Sequence, residues 1–212
     1  MIDTIVFDLG GVIITIRHER AVARFRQLGI PNAERQLDPY TQGGCFGALE
    51  QGLITPEQFR QEMCRQTGRD VTTDECAHAW MGYMGDVPQT KLQCLRELRQ
   101  RGYRLILLSN TNPFIARWAE SPAFDGHGNT LASYFDLSFK SFEVGFMKPD
   151  ARFFELVEKR SGLTPANTLF LDDGPRNVEA AAARGWLTMQ PANGTDWTAD
   201  LMRRLAAEAP AV

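Results

Sequence analysis

Four polar clusters stand at the ends of apolar runs: Asp8 after Ile5-Val6-Phe7, Ser109-Asn110 after Leu105–Leu108, Lys148 before Pro149, and Asp172-Asp173 after Leu169–Leu171. A carboxylate that closes an apolar segment needs a cation or hydrogen-bond donors, because burying it alone costs several kcal/mol. Apolar runs of this kind read as strands of a parallel sheet, whose carboxyl ends share one edge and form the usual ligand crevice. Three carboxylates, a hydroxyl, a lysine and free backbone N–H groups on one edge would suit Mg²⁺ and a phosphoryl group. Mg²⁺ takes one or two carboxylates, waters and phosphate oxygens, and phosphate takes N–H donors plus a cation. Each cluster has a plainer reading: Asp8 and Ser109-Asn110 as turn formers, Asp172-Asp173 as a helix cap, Lys148 as a surface residue. Their order and placement carry the argument.

The elements that would position these groups follow from periodicity. Residues 5–14 read as a central strand. From Arg17 to Val87 helical spacing dominates: Val22, Phe25 and Leu28 share a face, Thr55-Pro56 opens a helix with Gln58 completing a capping box, and Thr73 or Asp74 opens another. The Met-rich and aromatic stripe of this segment reads as its own core. Beyond it, strands predicted at 103–108, 135–139, 168–171 and 186–189 alternate with helices, the pattern of a parallel α/β fold. Residues 206–212 read as loose. The expected organisation is a core of residues 1–14 and 89–212, with residues 15–88 as a helical insertion after the first strand.

Bulk composition narrows the function. At 212 residues the chain holds one α/β domain and an insertion, and 43% hydrophobic with 23% charged residues is ordinary for a soluble globular protein. A net charge of -3 without a basic block argues against nucleic acid as the main partner. The four cysteines lack CxxC spacing and read as reduced thiols, Asp3 stands where a signal peptide would carry a basic residue, and no run approaches membrane-spanning length. A cytoplasmic protein off the membrane is expected. His18, His78 and His127 have no metal-ligand spacing.

Phe-Asp-Leu-Gly-Gly-Val (7–12), Leu-Ser-Asn-Thr-Asn (108–112), Lys-Pro-Asp (148–150) and Phe-Leu-Asp-Asp (170–173) with Asn177 resemble, in order, the four motifs of the haloacid dehalogenase superfamily. Within it the sequence looks most like the branch containing bacterial α-D-glucose-1-phosphate phosphatase. The resemblance covers nearly the whole chain. It implies a Rossmann-like three-layer α/β core with a small helical cap. It also implies a Mg²⁺-dependent phosphatase acting on a small phosphorylated metabolite, a sugar phosphate above all, with no protein partner. Asp8 would be the nucleophile that forms an aspartyl-phosphate. Asp8, Asp172 and the Gly10 carbonyl would hold Mg²⁺, with Asp173 and Asn177 supporting. Ser109 and the Asn110 amide would grip phosphoryl oxygens, and Lys148 would offset the charge that develops.

One departure bears on mechanism. Most phosphatases of the superfamily carry a second Asp two residues after the nucleophile as general acid, and here that position is Gly10. A positioned acid contributes roughly 10²–10⁴ in rate. Another group, His18 or Glu19, would have to serve, or the leaving group would be acidic enough to manage, or the protein would bind phosphorylated ligands without catalysis. A 2-haloacid dehalogenase is the other enzyme reading, opposed by Asp172-Asp173, which would repel a carboxylate substrate.

Overall fold

The structure, a computed structural model, describes residues 1–37 and 43–208. Five short strands, β1 (Thr4–Phe7), β2 (Arg104–Ser109), β3 (Leu137–Lys140), β4 (Thr168–Leu171) and β5 (Leu187–Met189), pair in parallel in the order β3-β2-β1-β4-β5. Alternate residues of the central strands face two hydrophobic layers. Ile5, Phe7, Leu107 and Leu171 face Leu92, Leu95 and Leu98 of α6 (Gln89–Gln100), together with Leu201 of α11 (Thr198–Ala207). Val6, Ile106, Leu108 and Phe170 face Phe153, Phe154 and Val157 of α9 (Ala151–Ser161), with Ala181 of α10 (Pro175–Ala183). Burial on both faces is why these strands read as unbroken apolar runs. The result is the α/β three-layer arrangement anticipated from sequence.

The register sets the site. Phe7 pairs with both Leu107 and Leu171, so the next residues, Asp8 and Asp172, emerge level at the carboxyl edge. Asp8 N–H donates to the Leu171 carbonyl at 2.9 Å, the last link before the chains diverge. The expectation of a strand through Ile14 is corrected: pairing ends at Phe7, and residues 9–14 fold back, with Ile13 and Ile14 N–H both donating to the Leu9 carbonyl. Leu9, Val12, Ile13 and Ile14 are apolar because they are buried in a turn, not because they pair. Lys91 Nζ (2.6 Å) and Trp197 Nε1 (2.8 Å) both donate to the Val12 carbonyl and fix that turn from α6 and from the start of α11.

Between β1 and α6 lie α1 (His18–Leu28), α2 (Ala33–Gln36), α3 (Gly44–Glu50), α4 (Pro56–Thr67) and α5 (Thr73–Trp80). Thr55 and Gln58 form the expected capping box on α4, and a second, Thr72 with Glu75, caps α5, which opens at Thr73, one of the two starts read from sequence. Each such cap contributes about 1 kcal/mol. Phe25, Phe46, Phe59 and Trp80 pack edge-on or tilted at 4.9–6.4 Å between centroids. This is the aromatic stripe, but it is not a separate core. Phe59 also meets Phe114 at 6.0 Å, on α7 (Pro113–Ala119), which joins the helical layer to the sheet layer. The chain leaves and returns through paired segments in which Thr15 N–H donates to Asp86 O and Gly85 N–H to Thr15 O.

Ala206 and Ala207 belong to α11, whose Leu205 is buried, so the tail is helical further than expected; residues 209–212 lie outside the described residues. Cys76 and Cys94 are buried and all four cysteines are free. Among the described residues no helix is long and apolar enough to cross a membrane.

Candidate active site

The carboxyl edge of β1, β2 and β4 opens into a cavity of about 400 Å³, floored by Asp8, Gly10, Asn110, Lys148, Asp173 and Asn177. Asp8 Oδ1 accepts from Leu9 N–H at 2.7 Å and lies 3.0 Å from Lys148 Nζ. Lys148, whose side chain is wholly buried, also donates to Asp172 Oδ2 at 2.6 Å. Asp172 Oδ1 accepts from Gly174 N–H (2.8 Å) and Asn177 Nδ2 (3.0 Å). The Asp173 carboxylate instead lies over Gly11. A Cβ on Gly11 would stand 2.0 Å from Asp173 Oδ2, and its φ of +76° already favours glycine.

The sequence-predicted residues therefore meet, with different partners for the two adjacent carboxylates. Asp172 has donors on both oxygens and faces Lys148, whereas the Asp173 side chain accepts no hydrogen bond among the described residues and faces the cavity. Asn110 spends its side-chain amide on the Lys148 backbone, donating to Lys148 O at 2.9 Å and accepting from Lys148 N–H at 2.8 Å. Ser109 is 1% exposed and off the cavity wall, and among the described residues its hydroxyl finds the Asn110 carbonyl at 3.4 Å. Glu19 is exposed and away from the cavity. His18 does line it, with Nε2 placed 3.0 Å from the Leu37 carbonyl. A Cβ on Gly10 would sit 3.0 Å from Ile16 Cδ1, so Ile16 would have to give by a few tenths of an ångström to admit a side chain at this position.

Sequence reasoning missed Glu50, Trp80 and Tyr83, which the helical segment brings to the opposite wall. No motif marks them; their place depends on how α3 and α5 dock over the sheet.

Charge at the floor is unbalanced. Burial pushes the Asp8 carboxyl up to about 7; Lys148 pulls it down, and Asp172 and Asp173 push it further up. Burial, then Asp172, raises Asp173 to about 6. Burial works against the Lys148 ammonium, but Asp172 and Asp8 outweigh it and raise its pKa. Asp8, Asp172 and Asp173 each present an oxygen within 4.8 Å of the others, against one lysine. An all-oxygen set with excess negative charge suits a hard divalent cation.

A pH dependence follows. Carboxyls whose folded pKa is raised add stability that is fully present below about pH 4 and is lost as pH rises through the folded values of about 6 and 7. With divalent metal chelated, thermal denaturation should give Asp8→Asn a Tm advantage over the wild-type chain that widens from pH 5 to pH 8. A difference that stays flat or narrows would mean that Asp8 is not destabilised in its charged form.

Residues 2–185 match the family of haloacid dehalogenase-like hydrolases. The chain is 41% identical over 201 residues to a D-ribitol-5-phosphate phosphatase of Bacteroides thetaiotaomicron, covering 95% of this chain and 97% of that one. A HAD-like family hydrolase from Porphyromonas gingivalis superposes with a TM-score of 0.93 at 40% identity, over 97% and 98% of the two chains. A HAD family enzyme of B. thetaiotaomicron, crystallised with magnesium and inorganic phosphate, superposes with a TM-score of 0.85 at 34% identity, over 93% and 98%. With the four motifs gathered on one sheet edge and the match running from the first strand past the fourth, the chain belongs to the haloacid dehalogenase-like hydrolases.

Proposed function

We propose that this chain is a Mg²⁺-dependent phosphatase of a small phosphorylated metabolite, a sugar or polyol phosphate, working through an aspartyl-phosphate on Asp8. The observation that carries the reading is Asp8 held against buried Lys148, with the Asp173 carboxylate open to the same cavity. The phosphatase and the magnesium–phosphate complex among its relatives support it.

Asp8 Oδ1 is oriented by Leu9 N–H and Lys148, leaving Oδ2 to face the cavity and attack phosphorus. Asp8, Asp173 and the Gly10 carbonyl would hold Mg²⁺, which supplies charge neutralisation between two anions. Asp172 and Asn177 then act on Lys148 and on each other, fixing the ammonium beside the phosphoryl oxygens. The backbone N–H of Asn110, not its committed side chain, is left for the phosphoryl group. Residues 15–88 form the cap over the site and exclude water from it. The finer sugar-phosphate assignment rests on the polar side chains of His18, Gln36 and Asn193 on the cavity wall.

Purified protein should hydrolyse p-nitrophenyl phosphate with Mg²⁺ and lose that activity on chelation, and a panel of sugar and polyol phosphates should exceed nucleotides in kcat/KM. Equal turnover without metal, or none on any phosphate ester, would overturn the reading.

A further inference from the structure

Glu50 ends α3 and is the one carboxyl that the helical segment contributes to the cavity wall among the described residues. Its main chain is anchored: the Glu50 carbonyl accepts from Ser141 Oγ at 2.6 Å, and Ser141 Oγ in turn accepts from Thr111 N–H at 2.9 Å. The side chain thus stands where the cap rests on the end of β2. Among the described residues no lysine, arginine or histidine forms an ion pair with it. Its polar neighbour is Asn112, whose Oδ1 is used up capping α7 and whose Nδ2 has no hydrogen bond of ordinary geometry. Burial pushes Glu50 up to about 7, and only the Asn112 side chain acts against that rise.

Among the described residues Asn112 is the one side chain placed to donate to Glu50, and a partly buried carboxyl with so few donors is destabilising unless something binds it. What binds must bring hydrogen-bond donors. A second phosphate or a carboxylate would be repelled, and a purely apolar chain would leave Glu50 as it is. An ammonium would be attracted, but Lys148 and Arg176 line the same cavity, and Gln36 and Asn193 on its wall are uncharged amides. Aromatic faces of Phe46, Trp80 and Tyr83 line the space beside Glu50 and suit the C–H faces of a carbon chain bearing hydroxyls.

Building on the phosphatase reading, we propose that Glu50 selects the leaving group: its carboxyl accepts hydrogen bonds from hydroxyls of an uncharged, polyhydroxylated alcohol. Glu50 binds substrate and transfers nothing. The chain therefore favours polyol and sugar phosphates over alkyl, isoprenoid or aminoalkyl phosphates of equal length.

The test compares kcat/KM for a five-carbon polyol monophosphate, n-pentyl phosphate and 5-aminopentyl phosphate in the wild-type chain, Glu50→Leu and Glu50→Gln. Hydrogen bonds to a charged or strongly polar partner are worth about 10–100-fold in binding. The wild-type preference for polyol over pentyl phosphate should fall by about 10–100-fold in Glu50→Leu, mostly through KM. Glu50→Gln, which keeps an acceptor oxygen, should recover part of it. An unchanged ratio in Glu50→Leu, or a wild-type preference for the aminopentyl ester, would overturn the proposal. Calorimetric binding of the polyol phosphate to Asp8→Asn, with and without Glu50→Leu, separates the two readings. If no ester is hydrolysed but this affinity still drops by about 10–100-fold, the phosphatase reading fails and the Glu50 assignment stands. If the affinity is unaffected, or no binding is detected in either variant, the assignment fails.

Discussion

Asp8→Asn should reduce turnover by at least about 10⁴-fold, the scale on which enzymes fail when a covalent nucleophile is removed, while leaving the fold in place. The carboxamide keeps the shape of the side chain, and its oxygen can still accept from Leu9 N–H, now at 2.7 Å from Oδ1. Lys148 keeps Asp172 at 2.6 Å, so no new unpaired charge is buried. What is lost is the oxygen that attacks phosphorus. Acid-quenched wild-type protein should carry one labile phosphoryl group on the peptide containing Asp8, and the variant none. A variant that turns over at a tenth of the wild-type rate, or that still becomes phosphorylated, would remove Asp8 from the chemistry and with it the proposed mechanism.

The parts of this site that could be read from sequence are those that a strand delivers. Asp8 and Asp172 follow runs whose burial on both faces makes them unmistakably apolar, and parallel pairing then places them level. Which of Asp172 and Asp173 would meet Lys148 could not be read. Adjacent residues at a strand end point to opposite sides, and which one meets Lys148 depends on the register and on the Gly174 N–H that draws in Asp172. The length of β1 was misjudged for a related reason: apolar content reports burial, and residues 9–14 are as buried in their turn as they would be in a strand. Glu50, Trp80 and Tyr83 left no trace at all. Their spacing serves α3, α5 and the aromatic cluster, and only tertiary docking turns one side of that cluster into a wall. The contact of Ile16 with the Gly10 position was equally invisible, because it depends on Ile16, six residues on, folding back over the turn.

Lys148→Met should be the most destabilising change at the site. The lysine is the single cation between Asp8 and Asp172, at 3.0 and 2.6 Å, with its side chain wholly buried. Methionine replaces the stem at similar volume and leaves two carboxyls facing each other. Removing one partner from a buried ionic cluster typically costs about 3–5 kcal/mol, because the remaining charge is uncompensated. The loss should be largest at pH 8 with metal chelated, where Asp8, already raised to about 7 beside Lys148, would otherwise be ionised. The sign fixes the remedy: lowering the pH towards 5 protonates the raised carboxyl and should recover much of the stability, and Mg²⁺ should do the same at pH 8 by supplying the missing positive charge. Activity should still fall by about 10²–10³-fold with saturating Mg²⁺, since a cation aimed at the developing phosphoryl charge is not replaced by one held among carboxylates. Asp172→Asn in the Lys148→Met background should restore stability without restoring turnover, a coupling that additive single losses would not produce. If Lys148→Met denatures at the wild-type temperature at pH 8 in chelator, Lys148 is not the counter-charge that holds this edge together, and the electrostatic account of the site falls with it.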